Sequence, residues 1–223
     1  MTDAQSATFT RIRGIVARDL APVRPLLAPG TRLLLMLPVA LFVAAAAPYL
    51  SARGHIERLG EPGAWGLSVL EWVIGLVMMG IALRQAVPGC GIPARVAAAA
   101  AGAAGVLVVV VIFATDAMQS TVVPPGMAFR YWYECVLGPM IVASPLLVAT
   151  VALAMRAFPT HPAAAGGLAG FSAGIVTDAG WRLTCSVSAP SHVLASHALA
   201  IAVMAGVGAL AAAVLDCVRS RSA

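Results

Sequence analysis

Along the chain, long apolar blocks alternate with short polar connections. Sliding a window of about 19 residues, the scale of a bilayer-crossing helix, picks out six blocks. They run from Leu33 to Leu50, about Trp65 to Leu83, about Val96 to Thr115, Cys135 to Met155, roughly Ala163 to Trp181, and roughly His192 to Leu215. About 20 helical residues cross the roughly 30 Å hydrocarbon core of a bilayer, so each block is long enough to span it. The connections are short and rich in Pro and Gly, as in the stretches Pro88 to Pro93 and Pro159 to Pro162. The pattern predicts an all-α, polytopic membrane protein. Residues 33–223 form a six-transmembrane-helix bundle with short loops and a carboxy-terminal tail, and residues 1–32 form a polar segment ahead of it.

Composition agrees. Of 223 residues, 61% are hydrophobic and 10% charged, with a mean hydropathy of +0.93, too apolar for a fold whose surface meets water. A net charge of +5 and a pI of 9.6 fit a nucleic-acid binder at first sight. However, the 14 basic residues are all arginine and lie scattered between apolar blocks. Without a basic stripe to follow phosphates, no direct nucleic-acid contact is expected.

Arginine placement orients the chain, because positive flanks are retained on the cytoplasmic side. With the amino terminus inside, the cytoplasmic segments hold Arg11, Arg13, Arg18, Arg24, Arg32, Arg84, Arg95, Arg156, Arg219 and Arg221. Only Arg53, Arg58, Arg130 and Arg182 fall outside. Both termini are therefore expected in the cytoplasm. The first block reads as a span rather than a secretory signal, since 32 residues exceed an ordinary n-region.

Inside the spans the only acidic side chains are Glu71 and Asp178, each costing about 2.5–3.5 kcal/mol at mid-bilayer unless paired. Glu71, about two turns into the second span, is expected to be neutral or paired with an arginine. Asp178, near the outer end of the fifth, is expected to pair locally or to reach water. A small transporter or channel using Glu71, Asp178 and His197 is the alternative reading, but the inner halves of the spans are almost entirely Ala, Val, Leu, Gly and Met. Gly166, Gly170 and Gly174 recur every four residues and predict a buried, close-packing face. The third span, with Ala97 to Ala101, Gly102 and Gly105, is its plausible partner. Trp65, Tyr131, Trp132, Tyr133 and Trp181 fall at outer span ends, as in an interfacial belt.

The same topology puts Cys90 and Cys217 inside and Cys135 and Cys185 outside. Only the outer pair meets oxidising conditions, and three readings stay open for it: a structural disulfide, two separately buried thiols, or a redox- or metal-responsive pair. His192 follows Cys185 by seven residues. On a regular α-helix His192 and His197 stand about 140° apart, so no shared ligand face and no metal site are expected. No catalytic constellation and no cofactor motif is visible, so an enzyme is not expected.

Within residues 8–27, Phe9, Ile12, Val16, Leu20, Val23 and Leu27 recur at steps of three and four, a helical apolar stripe. Arg11, Arg13, Arg18 and Arg24 occupy other positions. Pro22 and Pro25 predict that regular helix ends near Ala21. Such a basic amphipathic segment either lies on anionic lipid or docks its apolar side into a groove on a soluble partner.

The stretch Asp19-Leu20-Ala21-Pro22-Val23-Arg24-Pro25-Leu26, the Tyr133-Glu134-Cys135 opening of the fourth span, and Cys185 followed by Ser188, Pro190 and His197 together resemble the NrsF family. These are bacterial inner-membrane anti-sigma factors that negatively regulate an extracytoplasmic-function sigma factor. The resemblance covers nearly the whole chain. It implies that the cytoplasmic amino terminus holds the sigma factor, with Asp19, Leu20, Pro22, Val23 and Arg24 in the binding segment beside the stripe residues Phe9, Ile12 and Val16. It also implies that Cys135 and Cys185 sense an extracytoplasmic stress. About 30 residues cannot build a core of their own, so the segment would order on its partner. After Cys185 the chain reads Ser-Val-Ser-Ala-Pro, without the acidic residues associated with many relatives.

Overall fold

A computed structural model describes residues 3–19, 26–51, 62–118, 128–183, 185 and 187–222. Among them the regular structure is entirely helical. The elements are α1 (Asp3–Asp19), α2 (Pro29–Ser51), α3 (Pro62–Gln85), α4 (Ala94–Met118), α5 (Ala128–Met155) and α6 (Pro162–Trp181). A single turn, α7 (Pro190–Val193), then runs through a π turn at Leu194–Ala198 into α8 (Leu199–Ser222). Four helices open on proline, at Pro29, Pro62, Pro162 and Pro190. Proline is suited to that position because its fixed φ is helical and its missing N–H would have had no intrahelical acceptor.

Among the described residues, five helices or helix runs are long and apolar enough to cross a membrane: α2, α3, α4, α5 and the α7–α8 run. The expected fifth span, α6, falls short of that measure, so five and not six of the expected spans meet it. Its 20 residues include Gly166, Gly167, Gly170, Gly174 and Gly180 together with Ser172, Thr177 and Asp178, which lower its hydropathy. Other helices cover much of it. It packs against α2, α3, α5 and α8, and every residue from Ser172 to Trp181 is buried.

Glycine sets the closest of these contacts. A Cβ on Gly166 would meet the carbonyl oxygen of Gly208, and one on Gly170 that of Met204, both in α8. The buried glycine face is as expected, but its partner is α8 and not the third span. On α4, Gly102 and Gly105 face open space, and α4 packs chiefly on α3. A small-residue surface allows close approach; only a matching surface opposite, here Gly208, turns it into a contact.

The bundle has two chemically distinct ends. At one, the Arg32 guanidinium at the start of α2 donates to the Leu153 carbonyl late in α5. Beside it, Arg219 near the end of α8 donates to the Met155 carbonyl at 2.6 Å and stands over the Phe158 ring. Arg84 donates to the Cys90 carbonyl in the α3–α4 connection. At the other end the start of α5, the end of α6 and the following connection meet in a cluster of Cys135, Trp181, Cys185 and Val187. Cys90 and Cys217 thus belong to the arginine end, and Cys135 and Cys185 to the opposite end.

Candidate functional site

The two buried cysteines at that end touch. Cys135 Sγ lies 3.7 Å from Cys185 Sγ, within hydrogen-bond reach for sulfur. The first turns of α5 supply Cys135. The connection after α6 supplies Cys185, whose backbone N–H donates to the Trp181 carbonyl at 3.1 Å and thereby fixes its height above α6. Cys185 Sγ also lies 3.4 Å from the Val187 carbonyl and 3.8 Å from His192 Nε2. Its thiol is held below the ordinary value, foremost by the hydrogen bond with Cys135 and then by the neighbouring His197 and His192.

The histidines are brought in by the π turn. In a regular helix positions five apart diverge by about 140°. A π turn accommodates one extra residue, so His192 and His197 stand nearly as an i, i+4 pair would. Their rings meet edge to face with centroids 5.9 Å apart. The indole N–H of Trp132 donates to the Ala195 carbonyl at 2.8 Å, tying the turn to the start of α5. The expectation that the two histidines face apart fails because it assumed α geometry throughout. One ligand-type atom from each of Cys135, Cys185, His192 and His197 lies within 4.8 Å of the others.

Beneath the sulfurs runs a buried charged chain. His197 Nδ1 lies 2.5 Å from Asp178 Oδ1. Arg182 Nη2 donates to Asp178 Oδ2 at 2.7 Å and to Glu71 Oε1 at 3.1 Å, while Arg182 Nε donates to Glu71 Oε2 at 2.9 Å. Glu71 is paired with an arginine, one of its two expected states. Asp178 pairs locally and does not reach water: it is 1% exposed. The chain joins α3, α6 and the start of the last helix run to the thiols. Trp181, expected in an interfacial belt, is buried as well, whereas Trp65 and Tyr133 are exposed.

Sequence reasoning singled out the cysteines but counted Arg182 only as an outer charge, and it set His192 aside. The available signal was the sequence spacing of Cys185, His192 and His197, legible only with the π turn in place. Far from this cluster in sequence, Phe9, Ile12 and Val16 lie on α1, and every side chain from Ser6 to Ala17 is exposed. The described part of that helix runs to Asp19, and Ala21, near which it is expected to end, lies outside the described residues. Leu20, Pro22, Val23 and Arg24 lie outside the described residues.

Residues 16–215 match a known family, NrsF, described as negative regulator of sigma F. The chain belongs to the NrsF family. The match covers most of the chain and includes both cysteines, both histidines and the Glu71–Arg182–Asp178 chain, while Phe9 and Ile12 precede it. No curated protein and no solved structure matches the chain. NrsF membership makes this a protein of a regulatory class, with a sigma factor as the partner its family name carries.

Proposed function

We propose that this NrsF protein is a membrane-anchored anti-sigma factor. It sequesters an extracytoplasmic-function sigma factor through residues 8–27 and releases it when an extracytoplasmic redox or metal stress acts on Cys135 and Cys185. The observation that carries the reading is α1. A helix with Phe9, Ile12, Ile15 and Val16 exposed at 68%, 53%, 54% and 52% has an apolar face that water disfavours and a partner groove would cover. Its arginines favour an acidic groove. Residues 1–32 act as the binding segment and the remainder as the membrane domain, with α6 as its protein-covered centre.

The arrangement of the bundle supports a division between sides. The arginine end, into which the amino-terminal segment leads and at which α8 finishes, is the cytoplasmic face by charge; the cysteine end then faces the exterior of the bacterial inner membrane. Two thiols in contact are placed to respond together to an oxidant or a thiol-binding metal. The competing transporter reading needs Glu71, Asp178 and His197 free to exchange ions. Their mutual engagement through Arg182 favours a structural or signalling role instead.

The test is co-purification of the detergent-solubilised protein with its cognate sigma factor, with and without residues 1–27, alongside sigma-dependent transcription. Retention by the full chain, loss on truncation and derepressed transcription are expected. Equal retention by both forms would remove the amino-terminal segment from the mechanism, and no retention by either would remove the sigma factor.

A further inference from the structure

We infer that Cys135, Cys185, His192 and His197 form a tetrahedral site for one divalent ion of the zinc class, with Asp178 as the positioning residue for His197. This deepens the proposed sensing role of the thiols. It adds the nitrogen ligands and the ion.

Three observations point to it independently. The first is spacing. A tetrahedral ion with metal–sulfur bonds of about 2.3 Å holds its two sulfurs roughly 3.8 Å apart; Cys135 Sγ and Cys185 Sγ are 3.7 Å apart, and Cys185 Sγ and His192 Nε2 3.8 Å. All four ligand atoms fit within 4.8 Å, so binding requires only small side-chain adjustments. The second is an orphan: His197 is 1% exposed, and its Nε2 makes no hydrogen bond among the described residues. With Nδ1 engaged by Asp178 at 2.5 Å, Nε2 is the nitrogen left to coordinate. The third is the outer sphere. Metal-bound histidines characteristically donate their other N–H to a carboxylate, which fixes tautomer and ring orientation. Asp178 occupies that place and is itself held by Arg182 and, through it, by Glu71.

Two sulfurs and two imidazole nitrogens in tetrahedral array select zinc over the oxygen-seeking ions magnesium and calcium. The ion would displace one proton from each thiol, leaving two thiolates, two neutral imidazoles and two protons released to solvent. His192, half-buried, is the ligand nearest the surface; its competing contact is Ser196 Oγ at 3.4 Å. Ligands arriving from α5, the connection after α6 and the last helix run would make the ion a clasp across three elements. Losing it, or replacing it with a larger soft ion, would loosen that end of the bundle.

The test uses the full chain purified in detergent, stripped with a chelator under reducing conditions and titrated with Co²⁺, whose visible spectrum reports tetrahedral thiolate coordination. One Co²⁺ per chain with an intense tetrahedral spectrum, displaced by Zn²⁺, is expected. His192→Ala and His197→Gln should each weaken binding by at least 10-fold and alter the spectrum; the double variant Cys135→Ser/Cys185→Ser should abolish it. Asp178→Asn should weaken binding by about 10–100-fold with the tetrahedral spectrum retained, the mark of positioning rather than ligation. Absence of binding to the wild type, or spectra and affinities unchanged by both histidine substitutions, would overturn the site. If His197→Gln does not fold, His192→Ala decides alone. A chain that captures the sigma factor but binds no Co²⁺ refutes the ion and spares the regulator, and the reverse outcome does the opposite.

Discussion

Arg182 grips Glu71 with two parallel hydrogen bonds, Nε to Oε2 at 2.9 Å and Nη2 to Oε1 at 3.1 Å, although the residues are 111 positions apart in sequence. Glu71 is fully buried. A buried pair of this kind gains little over an apolar pair of the same shape, because both charges lose their hydration, but removing one partner strands the other. Glu71→Ala should therefore destabilise the detergent-solubilised protein by about 3–5 kcal/mol. The double substitution Glu71→Leu/Arg182→Met should recover part of that loss. Thermal unfolding followed by loss of monodispersity measures both, and a double variant no more stable than Glu71→Ala would show that Arg182 serves Asp178 more than Glu71.

The contact between α6 and α8 is set by glycines rather than by large side chains. Gly170→Val should push α8, whose Met204 carbonyl lies against Gly170, away from α6 and cost on the order of 3 kcal/mol, the upper range for overpacking. Gly102→Ala on α4 meets open space and should be neutral or stabilise by about 0.5–1 kcal/mol through helix propensity. Comparing the two melting temperatures separates a packing role from a general intolerance of substitution at helical glycines.

Exposed apolar anchors dominate helix-in-groove recognition, where a central residue commonly contributes more than 1 kcal/mol. Phe9→Glu and Val16→Glu should each lower affinity for the cognate sigma factor by roughly 10-fold or more, since 1.4 kcal/mol is a tenfold change, without altering membrane insertion. Pull-down from solubilised membranes measures this. If both variants bind as wild type does, α1 lies on lipid instead.

Cys90 and Cys217 are exposed at the arginine end, whereas Cys135 and Cys185 are buried at the other. A membrane-impermeant thiol reagent should label single-cysteine variants at positions 90 and 217 in inverted vesicles and not in spheroplasts. Labelling of either from outside would reverse the proposed orientation.

Trp132 donates to the Ala195 carbonyl inside the π turn. Trp132→Phe keeps the ring and removes the donor. It should cost about 0.5–1.5 kcal/mol and reduce the reactivity match between Cys135 and Cys185, read as the rate of disulfide formation under a mild oxidant. An unchanged rate would show that the turn holds its shape without this bond.

Periodicity and composition were enough to establish an all-helical chain, the apolar segments and the separation of Cys90 and Cys217 from Cys135 and Cys185. These follow from local chemistry: residues of one hydropathy in runs of one length, and an alternation of ends that any chain of antiparallel helices must obey. The amphipathic character of α1 was equally legible, because it depends on a repeat within a few turns. What the sequence could not determine depends on which surfaces face each other. That much of α6 is covered by other helices, that its glycines meet Gly208 on α8 and not α4, and that Arg182 turns inward to Glu71 and Asp178 are outcomes of packing among helices far apart in the chain. The convergence of His192 and His197 is the clearest case. One extra residue absorbed in a π turn changes which side chains share a face, and that choice is made by what the helix packs against, here the start of α5 with Trp132 and Cys135.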